Sequence, residues 1–173
     1  PVASTASAQS MPEYLALTQN FNQTYFQNLK KIKKQFTELF YFSHPSKECN
    51  GNLVHFTEKF GITYLVNIRA PFQGLEGQIF GMVANFTLNN IIRTKKYINS
   101  SRLIEEFFYA VRPSLMLLNE EKQERNIEVG VCLLDSANLE VEYASTGATL
   151  YYFQNKALKE LHSSKQDDDS QTK

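Results

Sequence analysis

Residues 61–93 read GITYLVNIRAPFQGLEGQIFGMVANFTLNNIIR, and how this stretch is parsed decides the fold. Over 62–68 the chain is apolar and β-branched, with Leu65, Val66 and Ile68 nearly continuous, the pattern of a strand covered on both faces. An elbow bearing Pro71, Gly74 and Gly77 follows. Beyond it Ile79, Met82, Val83, Phe86 and Asn90 recur at helical spacing, which predicts a long helix with that stripe as its apolar face. Gly77 and Gly81 stand four apart inside this helix; they cost helix propensity and predict close approach of another backbone, the sheet. A strand that runs onto a glycine elbow is where many folds place a metal, a phosphate or a nucleophile. This elbow carries Arg69, Pro71, Gln73 and Glu76, without aspartate, histidine or cysteine.

Working outward toward the N-terminus, 53–56 reads as a second strand joined through 58–61, and 39–42 as a short β-type run closed by Ser43-His44-Pro45-Ser46. Residues 12–37 carry apolar side chains at helical spacing (Tyr14, Leu17, Phe21, Tyr25, Ile32, Phe36 among them) and are expected to form a linker helix. Residues 1–11 are small and polar and are expected to be disordered. Toward the C-terminus, the cap candidates 99–101 open a second helix that buries Leu103, Ile104, Phe107, Phe108 and Val111, with Pro113 expected to kink it or begin a new turn. After a charged loop at 120–125, strands are predicted at 127–134, 140–145 and 149–154. Asp135-Ser136-Ala137-Asn138 makes the first two a hairpin, and Asn155-Lys156 turns the chain into 157–161 before a polar tail at 162–173. Strands, two helices, then strands is the order of an α+β layer protein.

Composition narrows the function classes. Eighteen basic and eighteen acidic residues cancel, so no net field draws the chain to nucleic acid or an anionic membrane. No apolar run approaches the ~20 residues of a membrane span. Cys49 and Cys132 lack CxxC spacing, the usage of a reduced, cytoplasmic protein. The chain begins without Met or a signal peptide and is expected to be a piece of a longer polypeptide. Lys30, Lys31, Lys33 and Lys34 read as a solvated helix face rather than a nucleic-acid patch. The alternative is a linker helix that pairs with a second copy and passes signals from an upstream domain, its Asn and Gln content arguing against a strong coiled coil.

Three strings in order resemble one family. LFYFSHPSKECNGNLVHF at 39–56 is similar to the opening of the SpoIIE-type serine/threonine phosphatases, the bacterial branch of the metal-dependent protein phosphatases, where a Pro-[KR]-x segment leads to S-G-D-F-Y. QGLEGQIFGMVANFTLNNII resembles their G-H-G-V-P-G-A-F-M-S-M-x-x-x-x-L-N-E-I, and IEVGVCLLDSANLEVEYASTGATLYYF their D-I-A-L-C-x-I-D hairpin and the strand after it. The resemblance covers 38–161 and implies a β-sandwich flanked by helices, a layered α/β/β/α phosphatase-like fold truncated at its C-terminal end and preceded by the linker helix.

The same resemblance implies where metal ligands would stand, and this chain departs there. Active members hold two Mg²⁺ or Mn²⁺ ions on aspartates and activate a water for attack on phosphorus. The aspartate of S-G-D falls on Asn52, that of D-x-T-G-H-G on Arg69, and the pair in D-G-M-D-I-A on Arg125 and Glu128. Hard dications need carboxylate oxygens, and a guanidinium puts a fixed cation where the dication would sit. The expectation is a domain without catalytic residues, metal or other cofactor: a pseudophosphatase that docks a protein partner, such as a partner-switching regulator of sigma factors. Four alternatives stay open. Arg69 and Arg125 pair with Glu128 or Glu76, or bind an anion such as a phosphoserine loop or nucleotide phosphate; Glu128, Glu76 and Asp135 rebuild a metal site and with it serine/threonine phosphatase activity; or the emptied pocket serves as a small-molecule or phosphate sensor. His44, His55 and His162 lack an i, i+4 partner, and Cys132 sits in an apolar strand, which argues against Cys–His catalysis. Thirteen Phe and nine Tyr exceed the needs of the core, so an exposed aromatic partner surface is expected, with one of Phe107, Phe108 and Tyr109 facing outward.

Overall fold

A computed structural model of the chain describes residues 51–117 and 127–162. The expectations for 1–11, the linker helix at 12–37, its pairing with a second copy, the run at 39–42, Cys49, the 120–125 loop and the tail beyond His162 lie outside the described residues. Within them the order is β1 (Leu53–Lys59), β2 (Ile62–Arg69), α1 (Gly74–Thr94), α2 (Ser100–Leu117), β3 (Glu128–Asp135), β4 (Glu140–Ser145), β5 (Leu150–Gln154) and β6 (Ala157–Leu161). This is the predicted mixed α/β order with antiparallel sheets and two helices.

β1, β2, β3 and β4 form one antiparallel sheet in that order, and β5 pairs with β6 in a separate two-stranded sheet. Register follows from the tight β1–β2 turn: Lys59 faces Ile62, and Leu53 faces Ile68. Because side chains alternate, one face of the sheet presents His55, Tyr64, Val66, Ile68, Val129, Val131 and Leu133, all buried. α1 packs on β1 and α2 on β3 and β4, and the two helices touch each other, so this face and both helices enclose the core. The opposite face presents Val54, Phe56, Leu65, Asn67, Arg69, Gly130 and Cys132. Among the described residues no helix is long and apolar enough to cross a membrane.

α1 corrects one expectation. Its buried face is Gly77, Phe80, Gly81, Ala84, Leu88, Ile91 and Ile92, whereas Ile79, Met82 and Phe86 are exposed. Small residues let the helix axis approach its neighbours, and Phe80 and Leu88 fill the space between, so bulk alone picked the wrong stripe. α2 departs differently: it runs unbroken through Pro113. Proline costs that helix the hydrogen bond to the Tyr109 carbonyl, and both residues lie on the solvent side, where the lost bond costs least. Tyr109 is the aromatic that faces outward; Phe107 is buried and Phe108 packs edge-on to it at 5.7 Å.

The β1–β2 turn holds Phe60 at φ 52° and Gly61 at φ 80°, a two-residue hairpin turn of the primed type. Glycine is at ease there and phenylalanine is not. Phe60→Asn is expected to stabilise the domain by about 1 kcal/mol, since asparagine tolerates the left-handed region that costs other residues ~1–2 kcal/mol. Thermal melting checks it; an unchanged or lower Tm means the ring's contact with the Lys59 ammonium, 5.2 Å from its centroid, outweighs the backbone strain.

Candidate functional site

The site region is one row of residues at the end of the sheet where β2 runs into the elbow. Arg69 pairs with Glu128 across β2 and β3. One step past Leu53↔Ile68, Asn52 comes beside Arg69, and its Oδ1 accepts the amide of Ala70 at 3.1 Å. By alternation all three side chains belong to the face away from the helices. The register therefore brings together three of the four predicted positions; Arg125 lies outside the described residues.

Within the row, Arg69 Nη1 donates to Glu128 Oε1 at 3.4 Å and Oε2 at 3.3 Å. Both contacts are long for a charge-assisted bond. The guanidinium side chain is 73% exposed and the carboxylate 39%, so solvent screens the pair and it adds about 0–1 kcal/mol to stability. Its effect is local: it sets a cation against the one carboxylate of the row.

Three neighbours fix that carboxylate and the elbow. Loop 146–149 folds over the start of β3, with the Thr146 amide donating to the Val129 carbonyl and the Val129 amide to Thr146 Oγ1, both at 2.9 Å. Gly147 sits so close that a Cβ there would lie 2.9 Å from Glu128 Cγ. On the other side the Gly51 amide donates to the Phe72 carbonyl at 2.9 Å, and a Cβ on Gly51 would meet that of Ala70 at 3.0 Å. Phe72 is buried against Phe80, ring centroids 4.8 Å apart, which anchors the elbow to the core. α1 then starts at Gly74, φ 59°, with no side-chain cap from Gln73 and with Glu76 in its first turn, where the helix dipole favours an acid. Next to the row, Val54, Leu65, Asn67, Cys132, Tyr143 and Leu150 line a half-open, mostly apolar cavity of about 210 Å³.

Other candidates are kept apart. Asp135 is at the far end of β3 from Glu128, seven residues or about 23 Å along the strand. Its carboxylate accepts the side-chain amide of Asn138 at 2.8 Å and the backbone amides of Asn138 and Ala137 at 3.1 and 3.0 Å, which starts the turn and holds its pKa below the usual carboxylate value. Glu128, Glu76 and Asp135 therefore do not converge on one ion. Cys132 and His55 lie on opposite faces of the sheet, and burial pushes the thiol up, away from a reactive thiolate. Among the described residues no three His, Cys, Asp or Glu side chains gather as a metal-binding group.

The comparisons with known proteins bear on the fold. Neither a family model nor a curated protein sequence matches the chain. Among solved structures it is similar to the SiaA-PP2C domain of Pseudomonas aeruginosa, at TM-score 0.63 and 15% identity over 87% of this chain. The fold is PP2C-like. The chain spans 63% of the length of that domain.

Three polar contacts of this PP2C-like domain were not visible in the sequence. Glu142, on β4, accepts the Ser100 amide and hydroxyl, both at 2.6 Å, and the Tyr97 hydroxyl at 3.2 Å. Lys59, at the end of β1, donates to the carbonyls of Ile92 at 2.7 Å and Arg93 at 2.9 Å and to that of Lys95, closing the C-terminus of α1. His55 Nδ1 bonds Asn85 Oδ1 at 2.8 Å. Their partners lie 30 or more residues away in sequence, so no local pattern announces them. The one hint was His55 itself, a polar residue at an inward position of an apolar strand.

Proposed function

We propose that this is a PP2C-like signalling domain that recognises a protein partner and hydrolyses no phosphoester. The observation that carries the reading is the Arg69–Glu128 ion pair, set across β2 and β3 where the SpoIIE resemblance puts metal-binding aspartates. A single carboxylate already facing a guanidinium is a poor seat for Mg²⁺ or Mn²⁺, which need several hard oxygens. The residues present do not fit the metals. The layered sandwich belongs to the same reading: the apolar outer face of the sheet and the β5–β6 pair support a second sheet covering it. The partner class, by analogy with the fold, is a cytoplasmic phosphoserine regulator of the partner-switching type that acts on sigma factors. The balance of basic and acidic residues, and the lack of an apolar span in the sequence, support neither a nucleic-acid partner nor membrane insertion.

The expected result is no turnover of para-nitrophenyl phosphate above blank with Mn²⁺, and no heat when Mn²⁺ is titrated into the full chain. Turnover that Glu128→Ala abolishes would overturn the reading and make the domain a phosphatase with an atypical metal site. One observation favours a second reading: the Arg69 side chain is 73% exposed and holds its partner loosely, as an anion receptor would, Arg125 being its predicted companion. Inorganic phosphate or a phosphoserine peptide that shifts the Arg69 guanidinium resonances, and not those of Arg69→Gln, selects that reading.

A further inference from the structure

His55 is the buried titratable group that the site does not use. It is 1% exposed, it sits on β1 at an edge of the four-stranded sheet, and it faces α1. Among the described residues its one polar contact joins the two elements: Nδ1 meets Asn85 Oδ1 at 2.8 Å, which makes Nδ1 the protonated nitrogen and leaves Nε2 with a lone pair. Nε2 is buried, and among the described residues it has no partner. Buried polar atoms are satisfied in the great majority of cases, so an orphan on a titratable ring is a stress that something can exploit.

Among the described residues no charge stands nearby to absorb a proton. On β1, Glu58 points to the opposite face, and the Lys59 ammonium is committed to the carbonyls at the end of α1. On β2 the residues sharing this face are Tyr64, Val66 and Ile68; Arg69 points the other way and is held by Glu128. The ionisable residues of α1, Glu76 and Arg93, lie in its first and last turns, at least eight residues or about 12 Å from Asn85. What faces the ring from α1 is Asn85, whose backbone carbonyl accepts the side-chain Nδ2 of Asn89 at 3.0 Å.

We propose that His55 and Asn85 form an acid-released latch between β1 and α1. With a neutral imidazole the strand and helix stay joined. A solvent proton taken up at Nε2 makes both ring nitrogens donors and places a cation among apolar side chains, and that cation is hydrated only when α1 lifts from the edge strand. Burial already depresses the proton affinity of the ring, and the Asn85 bond offsets this only in part. Above about pH 6.5 neither the closed nor the opened form holds the proton. Below it the opened form alone takes it, so the closed form loses ground until the depressed pKa of the closed state is reached. α1 begins at the elbow beside the Arg69–Glu128 row, so release would loosen the site.

Amide hydrogen exchange on the full chain, corrected for intrinsic rates, tests this. Between pH 7.5 and 5.5 the α1 amides are expected to lose protection about tenfold while those of β3 hold theirs. His55→Gln should keep α1 equally protected at both values. If α1 protection in the wild type is flat, or if His55→Gln loses it as the wild type does, the latch is wrong. Should that variant fail to fold, the wild-type imidazole signal decides: titration at an ordinary histidine value with α1 unmoved overturns the proposal, and titration in step with α1 exchange supports it.

Discussion

Truncating Phe80 to alanine is expected to destabilise the domain by about 3–5 kcal/mol, the usual cost of removing a buried aromatic ring and leaving a cavity. Phe80 is 2% exposed, and it is the peg on which Phe72 and the elbow rest. The loss should therefore reach the site, with the Arg69 and Ala70 signals broadened or shifted under conditions where the variant is still folded. Phe86→Ala, on the same helix, serves as the contrast: its ring is 74% exposed, and its removal should change stability by less than ~0.5 kcal/mol. Urea unfolding of the two variants decides which stripe of α1 is the inner one. Equal costs would mean that α1 is turned differently on the sheet.

The second large effect is expected at Glu142. Ser100 is buried at the start of α2, and both its amide and its hydroxyl depend on one carboxylate oxygen of Glu142. Glu142→Ala strands both donors at a helix N-terminus and should cost about 2–3 kcal/mol. Glu142→Gln keeps an acceptor but gives up the charge and should cost about half as much. Acid gives the same residue a signature. Desolvation raises its pKa, but the hydrogen bonds from Ser100 and Tyr97 outweigh it and leave the folded value below the ordinary one. The stabilisation is then complete above the unfolded glutamate pKa and drains away as the pH falls through the lower folded value. Urea midpoints between pH 6 and 3 should fall more steeply for the wild type than for Glu142→Gln. Parallel curves would show that this carboxylate does not carry the linkage.

How far the sequence could be read is clearest within 61–93. The strand, the glycine elbow and the length of the helix were legible because each rests on local chemistry: β-branched runs, Pro and Gly at the bend, periodicity beyond it. The face of α1 was not legible, because the helix is apolar nearly all round and its contact side is chosen by small residues rather than large ones. Strand pairing was the bridge to the site. Once Ile68 faces Val129, the register places Arg69 against Glu128 without further information. The support around that row comes from Gly51 and from Gly147, where the sequence offers glycines but cannot say what backs onto them.

The edge position of β1 has a mechanical consequence. Among the described residues the chain enters the sheet at Gly51, directly before a strand bonded on one side only, to β2. A pull transmitted along the polypeptide from that side would load the β1–β2 ladder at its open end, opposite the turn, and part its bonds one after another instead of shearing them together. As β1 peels, the contacts break in chain order: first the Gly51–Phe72 tie at the elbow, then His55 from Asn85, and last Lys59 from the end of α1. Tension applied upstream would thus reach the elbow before any other described part of the fold.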